Sequence, residues 1–151
     1  MKKTLILGII IIVLLISFTG CDKENGDNNI KSPDNGMVAI IIQNFTSSGL
    51  SFVIENNTEY EYTYGSFYTL YTRKDDIWEA VEPIIENWEF DNILYELASN
   101  TKTELFIVDW LWLYGEIPQG DYRFQKAIYF VQSPTNTTLN RLILEENFFI
   151  P

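Results

Sequence analysis

Short runs in which side chains alternate in character, each closed by a turn cluster, recur from residue 37 to the C-terminus. Leu50, Phe52 and Ile54 alternate with Ser51, Val53 and Glu55. A period of two sends one set to a buried face and the other to solvent, which is a strand and not a helix. Met37 to Ile42 is a β-branched run, and Tyr60, Tyr62 and Tyr64 alternate before a continuation from Phe67 to Tyr71 as a third strand. Thr103, Leu105 and Ile107 predict another strand, as do Phe124 to Val131 and finally Leu142, Leu144, Phe148 and Ile150. Between them lie turn clusters at Ser47-Ser48-Gly49, Asn56-Asn57-Thr58 and Ser133-Pro134-Thr135-Asn136, and a polar hairpin tip at Arg73-Lys74-Asp75-Asp76 before Ile77-Trp78. Such a chain is all-β, with about seven or eight strands, and two sheets packed face to face hide every apolar face. Pro83 to Leu97 is ambiguous: Ile84, Trp88 and Tyr95 recur at near-helical spacing, but the β flanks and the lack of a cap favour strand and loop.

The N-terminus follows a different logic. Lys2 and Lys3 precede an apolar run from Leu5 to Ile16, and Ser17-Phe18-Thr19-Gly20 leads to Cys21. That order is the layout of a secretory leader, and the run is shorter than the ~20 residues that span a bilayer. Residues 1–20 therefore read as a signal peptide. The small residue before Cys21 resembles a lipobox, although Phe18 stands where Leu is more usual. Cys21 is the only cysteine, so it has no disulfide partner. Lipidation gives it a role: by resemblance to other lipoproteins it would carry a diacylglyceryl group, the second acyl chain that stable anchoring requires. Asp22 to Asn35 has one apolar residue, Ile30, and cannot bury enough surface to fold. Residues 21–36 are thus expected to be a lipidated tether, and residues 37–151 one folded domain on the extracytoplasmic face of the cell membrane.

Charge and composition exclude several function classes. The chain carries 21 acidic and 10 basic residues, a net charge of −11, and loss of Lys2 and Lys3 with the leader makes it two charges more negative. Nucleic-acid phosphates need cationic partners, so no nucleic acid is expected. Histidine is absent, which removes the commonest general base and metal ligand. Glu79, Glu82, Glu86, Glu89 and Asp91 crowd one region, but without a calcium-loop pattern or supporting residues around them they are read as a solvated face. No catalytic residue, metal or cofactor is expected. Asn44-Phe-Thr46, Asn56-Asn-Thr58 and Asn136-Thr-Thr138 match the glycosylation sequon and are read as coincidence in an Asn/Thr-rich chain.

Two features near the C-terminal third carry more. Gly120-x-Tyr122 follows Pro118 and opens a strand, where a tyrosine hydroxyl can turn back onto the upstream backbone as a tyrosine corner. Trp110, Trp112 and Tyr114 alternate and are expected to share a strand face, either as core or as an aromatic platform for a sugar or peptide. The apolar Leu111 and Leu113 between them favour core.

The stretch from Trp110 through Tyr114-Gly115, Ile117, Gly120, Tyr122-Arg123-Phe124 to Lys126 resembles the signature of a bacterial immunoglobulin-like domain family. Ile54-Glu-Asn56, Tyr64-Gly65-Ser-Phe67, Trp78 and the closing Phe148-Phe-Ile150 are similar to its flanking elements, so the resemblance covers about residues 37 to 150. It implies an immunoglobulin-like β-sandwich, occurrence in small lipoproteins and in the extracytoplasmic parts of membrane sensor and peptidase-like proteins, and no transferable catalytic motif. Glu79 to Asp91 departs from the pattern, so that connection is expected to be unusual. Arg123 and Lys126 belong to the signature and are expected to pair with carboxylates across strands, with recognition as the alternative.

The function expected from these readings is a lipid-anchored, non-catalytic binding or accessory module. It would be monomeric, with a protein or cell-envelope partner that adds a strand to an exposed sheet edge as one expected mode of recognition. The alternatives are a cell-wall glycan enzyme using the acidic cluster and a protease-inhibitor-like module presenting an extended loop. The possible recognition residues are Trp110, Trp112, Tyr114, Arg123 and Lys126.

Overall fold

A computed structural model describes residues 37–133 and 136–151. The expected leader, Cys21 and tether lie outside the described residues, as does the middle of the expected Ser133–Asn136 turn. The strands are β1 (Val38–Thr46), β2 (Gly49–Asn56), β3 (Tyr62–Gly65), β4 (Thr69–Lys74), β5 (Ile77–Ala80), β6 (Leu94–Leu97), β7 (Thr101–Lys102), β8 (Phe106–Asp109), β9 (Gly120–Ser133) and β10 (Asn136–Ile150). A single helical turn, α1 (Leu111–Tyr114), sits between β8 and β9.

The strands form two antiparallel sheets, as the alternation predicts. In the first, β1 pairs with one side of β2, and β7 and β8 share the other side as one interrupted lane. In the second, β10 runs the length of β9, while β3 and β4 share the opposite side of β9 and are flanked by β6 and β5. Counted as lanes, three face four, which fits the seven or eight strands expected. The apolar sets of both sheets meet inside: Phe52 of β2 lies 5.1 Å, ring to ring, from Phe124 of β9. The Pro83–Leu97 segment is loop followed by the edge strand β6, as favoured. Asp75 and Asp76 both have positive φ, so the expected hairpin tip takes the turn whose twist matches its strands.

The expected third strand is two strands. Thr63 and Tyr64 pair with Tyr129 and Ile128, but Thr69 pairs with Gln125, so four residues on one side face two on the other. This bulge separates β3 from β4. The tyrosine corner is present, because Tyr122 donates its hydroxyl proton to the Pro118 carbonyl at 2.8 Å. Asn56, fully buried, ties the far end: its amide donates to the Tyr60 and Ala98 carbonyls at 2.8 Å each and accepts from the backbone N–H and the hydroxyl of Thr58. That sequon is therefore a structural knot with its amide nitrogen fully engaged.

At the opposite end, Gly49 opens β2 where β8 crosses closest. A Cβ there would collide with the Val108 carbonyl oxygen, which belongs to the backbone and cannot swing away. Gly49→Ala should destabilise the domain by about 1–3 kcal/mol, the range for overpacking, measured as a fall in the denaturation midpoint.

Candidate functional site

The sheets have unequal widths, so one flank of the sandwich is open. There β8 ends the first sheet, β6 ends the second, and the connection over residues 81–93 runs beside the opening. Trp88 and Phe90 of this connection pack against the core, while Ile84 and Ile85 are exposed. Between these elements lies a cleft of about 220 Å³. Phe90, Tyr95, Phe106 and Trp112 form its walls, and Tyr68, Asp109 and Lys126 supply its polar groups.

Lys126 is the least expected member. It is 3% exposed, an inward position of β9 between Phe124 and Ile128. Its ammonium meets no carboxylate, contrary to the cross-strand pairing expected. Instead Nζ donates to the Gly65 carbonyl at 2.5 Å and the Phe67 carbonyl at 3.0 Å. Gly65 ends β3, where it is in register with Leu94 of β6, and Phe67 lies in the bulge between β3 and β4; buried carbonyls need a donor. The Tyr64 and Phe52 rings lie 5.7 and 6.0 Å from the same nitrogen. Burial lowers the Lys126 pKa to about 8, with Asp91 opposing the shift.

Tyr68 is buried, and its hydroxyl has no hydrogen-bond partner among the described residues. Burial raises its pKa, with Tyr114 and Asp109 adding to the effect. The ring stacks on Phe124 at 5.3 Å and meets the edge of Phe90 at 5.0 Å. Phe90 in turn reaches Trp112 at 6.3 Å. A chain of rings thus runs from the core to the cleft mouth, where Trp112 is 46% exposed.

Trp110, Trp112 and Tyr114 do not share a strand face. Asp109 accepts from the Leu111 N–H at 2.9 Å, the backbone turns into α1, and Gly115 ends it at φ 70°. The helical period scatters the three rings. Trp110 is fully buried, with Nε1 donating to the Ser47 carbonyl at 3.0 Å, which pins the β1–β2 turn. Tyr114 is buried. Only Trp112 faces the cleft, so the expected three-ring platform is not formed. Of the two signature cations, Arg123 lies on the outer face of β9, 3.1 Å from Glu145 and over the Trp78 ring at 4.3 Å. The structure therefore brings Trp112 and Lys126 together and leaves Trp110, Tyr114 and Arg123 elsewhere.

Sequence reasoning missed Tyr68, Phe90, Tyr95 and Phe106 as cleft residues, because the bulge, the 81–93 connection, β6 and β8 bring them together only in the folded chain. For Lys126 a signal existed: alternation from Phe124 to Ile128 puts it on the inward face. Glu79, Glu82, Glu86, Glu89 and Asp91 all lie at exposed positions, as expected of a solvated face. A larger hollow of about 550 Å³ beside Tyr60, Leu94 and Phe130 is rimmed by Glu59, Glu61 and Glu96 and has no cation among its lining residues. Buried Tyr62 lines it, but no buried cation does. Among the described residues no three acidic or thiol side chains are grouped to hold a metal ion, and no helix is long and apolar enough to cross a membrane.

The buried lysine makes stability depend on pH. Its proton is held more weakly in the folded chain than in the unfolded one, so between about pH 8 and its ordinary value of 10.5 the unfolded state binds more protons. Stability should rise with pH through this window, by on the order of 3 kcal/mol from this group alone. Tyr64, Tyr68, Tyr114 and Tyr122 act oppositely above pH 10, because burial raises their pKa values and the unfolded chain ionises first. Denaturation midpoints from pH 7 to 11 should peak near pH 10, and Lys126→Met should remove the rise.

The fold agrees with comparisons of the sequence. A family model described as a bacterial Ig-like domain matches residues 36–142, from just before β1 into β10. No curated protein and no solved structure gives a match. Such a domain suggests a non-catalytic binding or accessory module. With the match covering more than half of the chain and two antiparallel sheets enclosing one core, the chain belongs to the bacterial Ig-like domain family.

Proposed function

We propose that the chain is an exported lipoprotein, anchored through Cys21 at the extracytoplasmic face of the cell membrane, whose Ig-like domain recognises a protein or another envelope component through the aromatic cleft. The leader-like Lys2–Gly20 stretch, the single cysteine and the polar segment after it support the anchoring. One observation carries the binding role: an apolar cleft at the open flank holds a few convergent polar groups, Lys126, Tyr68 and Asp109. Apolar walls supply binding energy, and a few placed polar groups fix orientation. The rings are already packed against one another, so little ordering cost opposes binding. The strongly acidic surface argues against a nucleic-acid partner.

Labelling cells with radioactive palmitate should mark the wild-type chain and leave Cys21→Ser unmarked; equal labelling of both removes the anchoring. A photo-crosslinking residue at position 112 should trap a discrete envelope partner that the same residue at position 74, in the β4–β5 hairpin, does not. Equal trapping at both positions removes the cleft from the recognition role.

A further inference from the structure

The open flank also fixes what kind of object fits it. Among the described residues β8 pairs with β2 alone. The Trp110 N–H donates to the Ser48 carbonyl across the Gly49–Asp109 pair, so that pair and Ser51–Ile107 are the ones that do not exchange hydrogen bonds. The backbone N–H and C=O of Ile107 therefore point away from β2, out of the sheet edge. Ile107 is 80% exposed and Leu105 is exposed beside it. Opposite them, the β5–β6 lane of the second sheet has no counterpart in the first.

A strand laid beside β8 would supply that counterpart. Its side chains would alternate between two prepared surfaces. The inward ones would enter the cleft beside Phe106 and Trp112, where the Tyr68 hydroxyl has no partner among the described residues. The outward ones would rest on Leu105 and Ile107 above a shallow hollow of about 370 Å³ that also involves Phe45. Charge selects the occupant. Asp109 lines both hollows, Glu104 adjoins β8, and the chain's net charge is −11. A second copy would bring the same charge to the same edge and be repelled.

We infer that β8 accepts an extended, basic segment of a partner protein, which pairs with the Ile107 backbone and sets one bulky apolar side chain into the cleft. This rests on the cleft being the recognition site and names the class of its ligand.

The test uses the full chain in detergent and a synthetic peptide, Lys-Val-Lys-Phe-Lys-Val-Lys, as probe, with its glutamate counterpart as control. The lysine peptide should bind, the glutamate peptide should not, and binding should slow hydrogen exchange at the Ile107 amide. Ile107→Pro removes that edge donor without breaking a bond to β2, and edge strands tolerate proline. It should weaken the probe at least about tenfold, the scale of a lost hydrogen bond with a carbonyl left unmet, while its circular dichroism matches wild type. The exchange measurement on wild type needs no variant and decides the matter if the proline chain fails to fold. Binding of the lysine peptide with Ile107 exchange unchanged overturns strand addition and leaves the cleft reading intact. Equal binding of both peptides, or of neither, overturns the basic segment. Crosslinking at position 112 reports on the cleft independently of these outcomes.

Discussion

One buried amino group bridges the break in the second sheet. β9 is continuous over 14 residues, whereas the lane beside it holds two residues too many and breaks between Gly65 and Thr69. A break of that kind inside a sandwich exposes carbonyls to an apolar interior, where an unmet acceptor costs about 1–3 kcal/mol. Lys126 reaches across from β9 and donates to two of them. Its charge is costly to bury, and the lowered pKa records that cost. The same bulge turns Tyr68 inward to stack on Phe124, which begins the line of rings that ends at Trp112. Strand break, buried cation and aromatic cleft are thus one construction.

That construction explains which parts of the fold were legible. A two-residue insertion preserves the period of two: Tyr62, Tyr64, Tyr68 and Leu70 are all buried on either side of the bulge. The apolar pattern therefore runs through undisturbed, and the stretch reads as one strand. The alternation at Leu50, Phe52 and Ile54 reports a true strand because β2 itself carries no extra residue: the register shift in its pairing with β1 lies in β1, between Ile42 and Asn44. Trp110 to Tyr114 misleads for another reason. Every residue there is large and apolar, so no period exists to separate helix from strand, and the decision falls to Asp109 and Gly115 at its ends. Tyr122 was legible because its partner, the Pro118 carbonyl, is local. Phe90, Tyr95 and Phe106 were not, because they converge only once β6 and β8 have taken their places at the two sheet edges.

The signature residues divide along the same line. Trp110, Tyr114, Gly115 and Tyr122 hold the turn and corner at one end, and Lys126 repairs the sheet. These roles belong to the architecture and would recur wherever the pattern does. Phe90 comes from the connection that departs from the pattern, and Trp112 sits at one of its variable positions.

One consequence follows from the direction of β1. The chain enters the first sheet at Val38, paired with Asn56, and β8 meets β2 seven residues further along, at Gly49. At ~3.3 Å per residue that separates the point of attachment from the Asp109 end of the cleft by about 23 Å. If the segment before residue 37 is moored to a bilayer as proposed, the domain hangs by one pole and carries its open flank toward the other. A target would then be met at arm's length from the lipid, beyond the shielding distance of the headgroup charges, so attraction between opposite charges could guide it in without competition from the membrane itself.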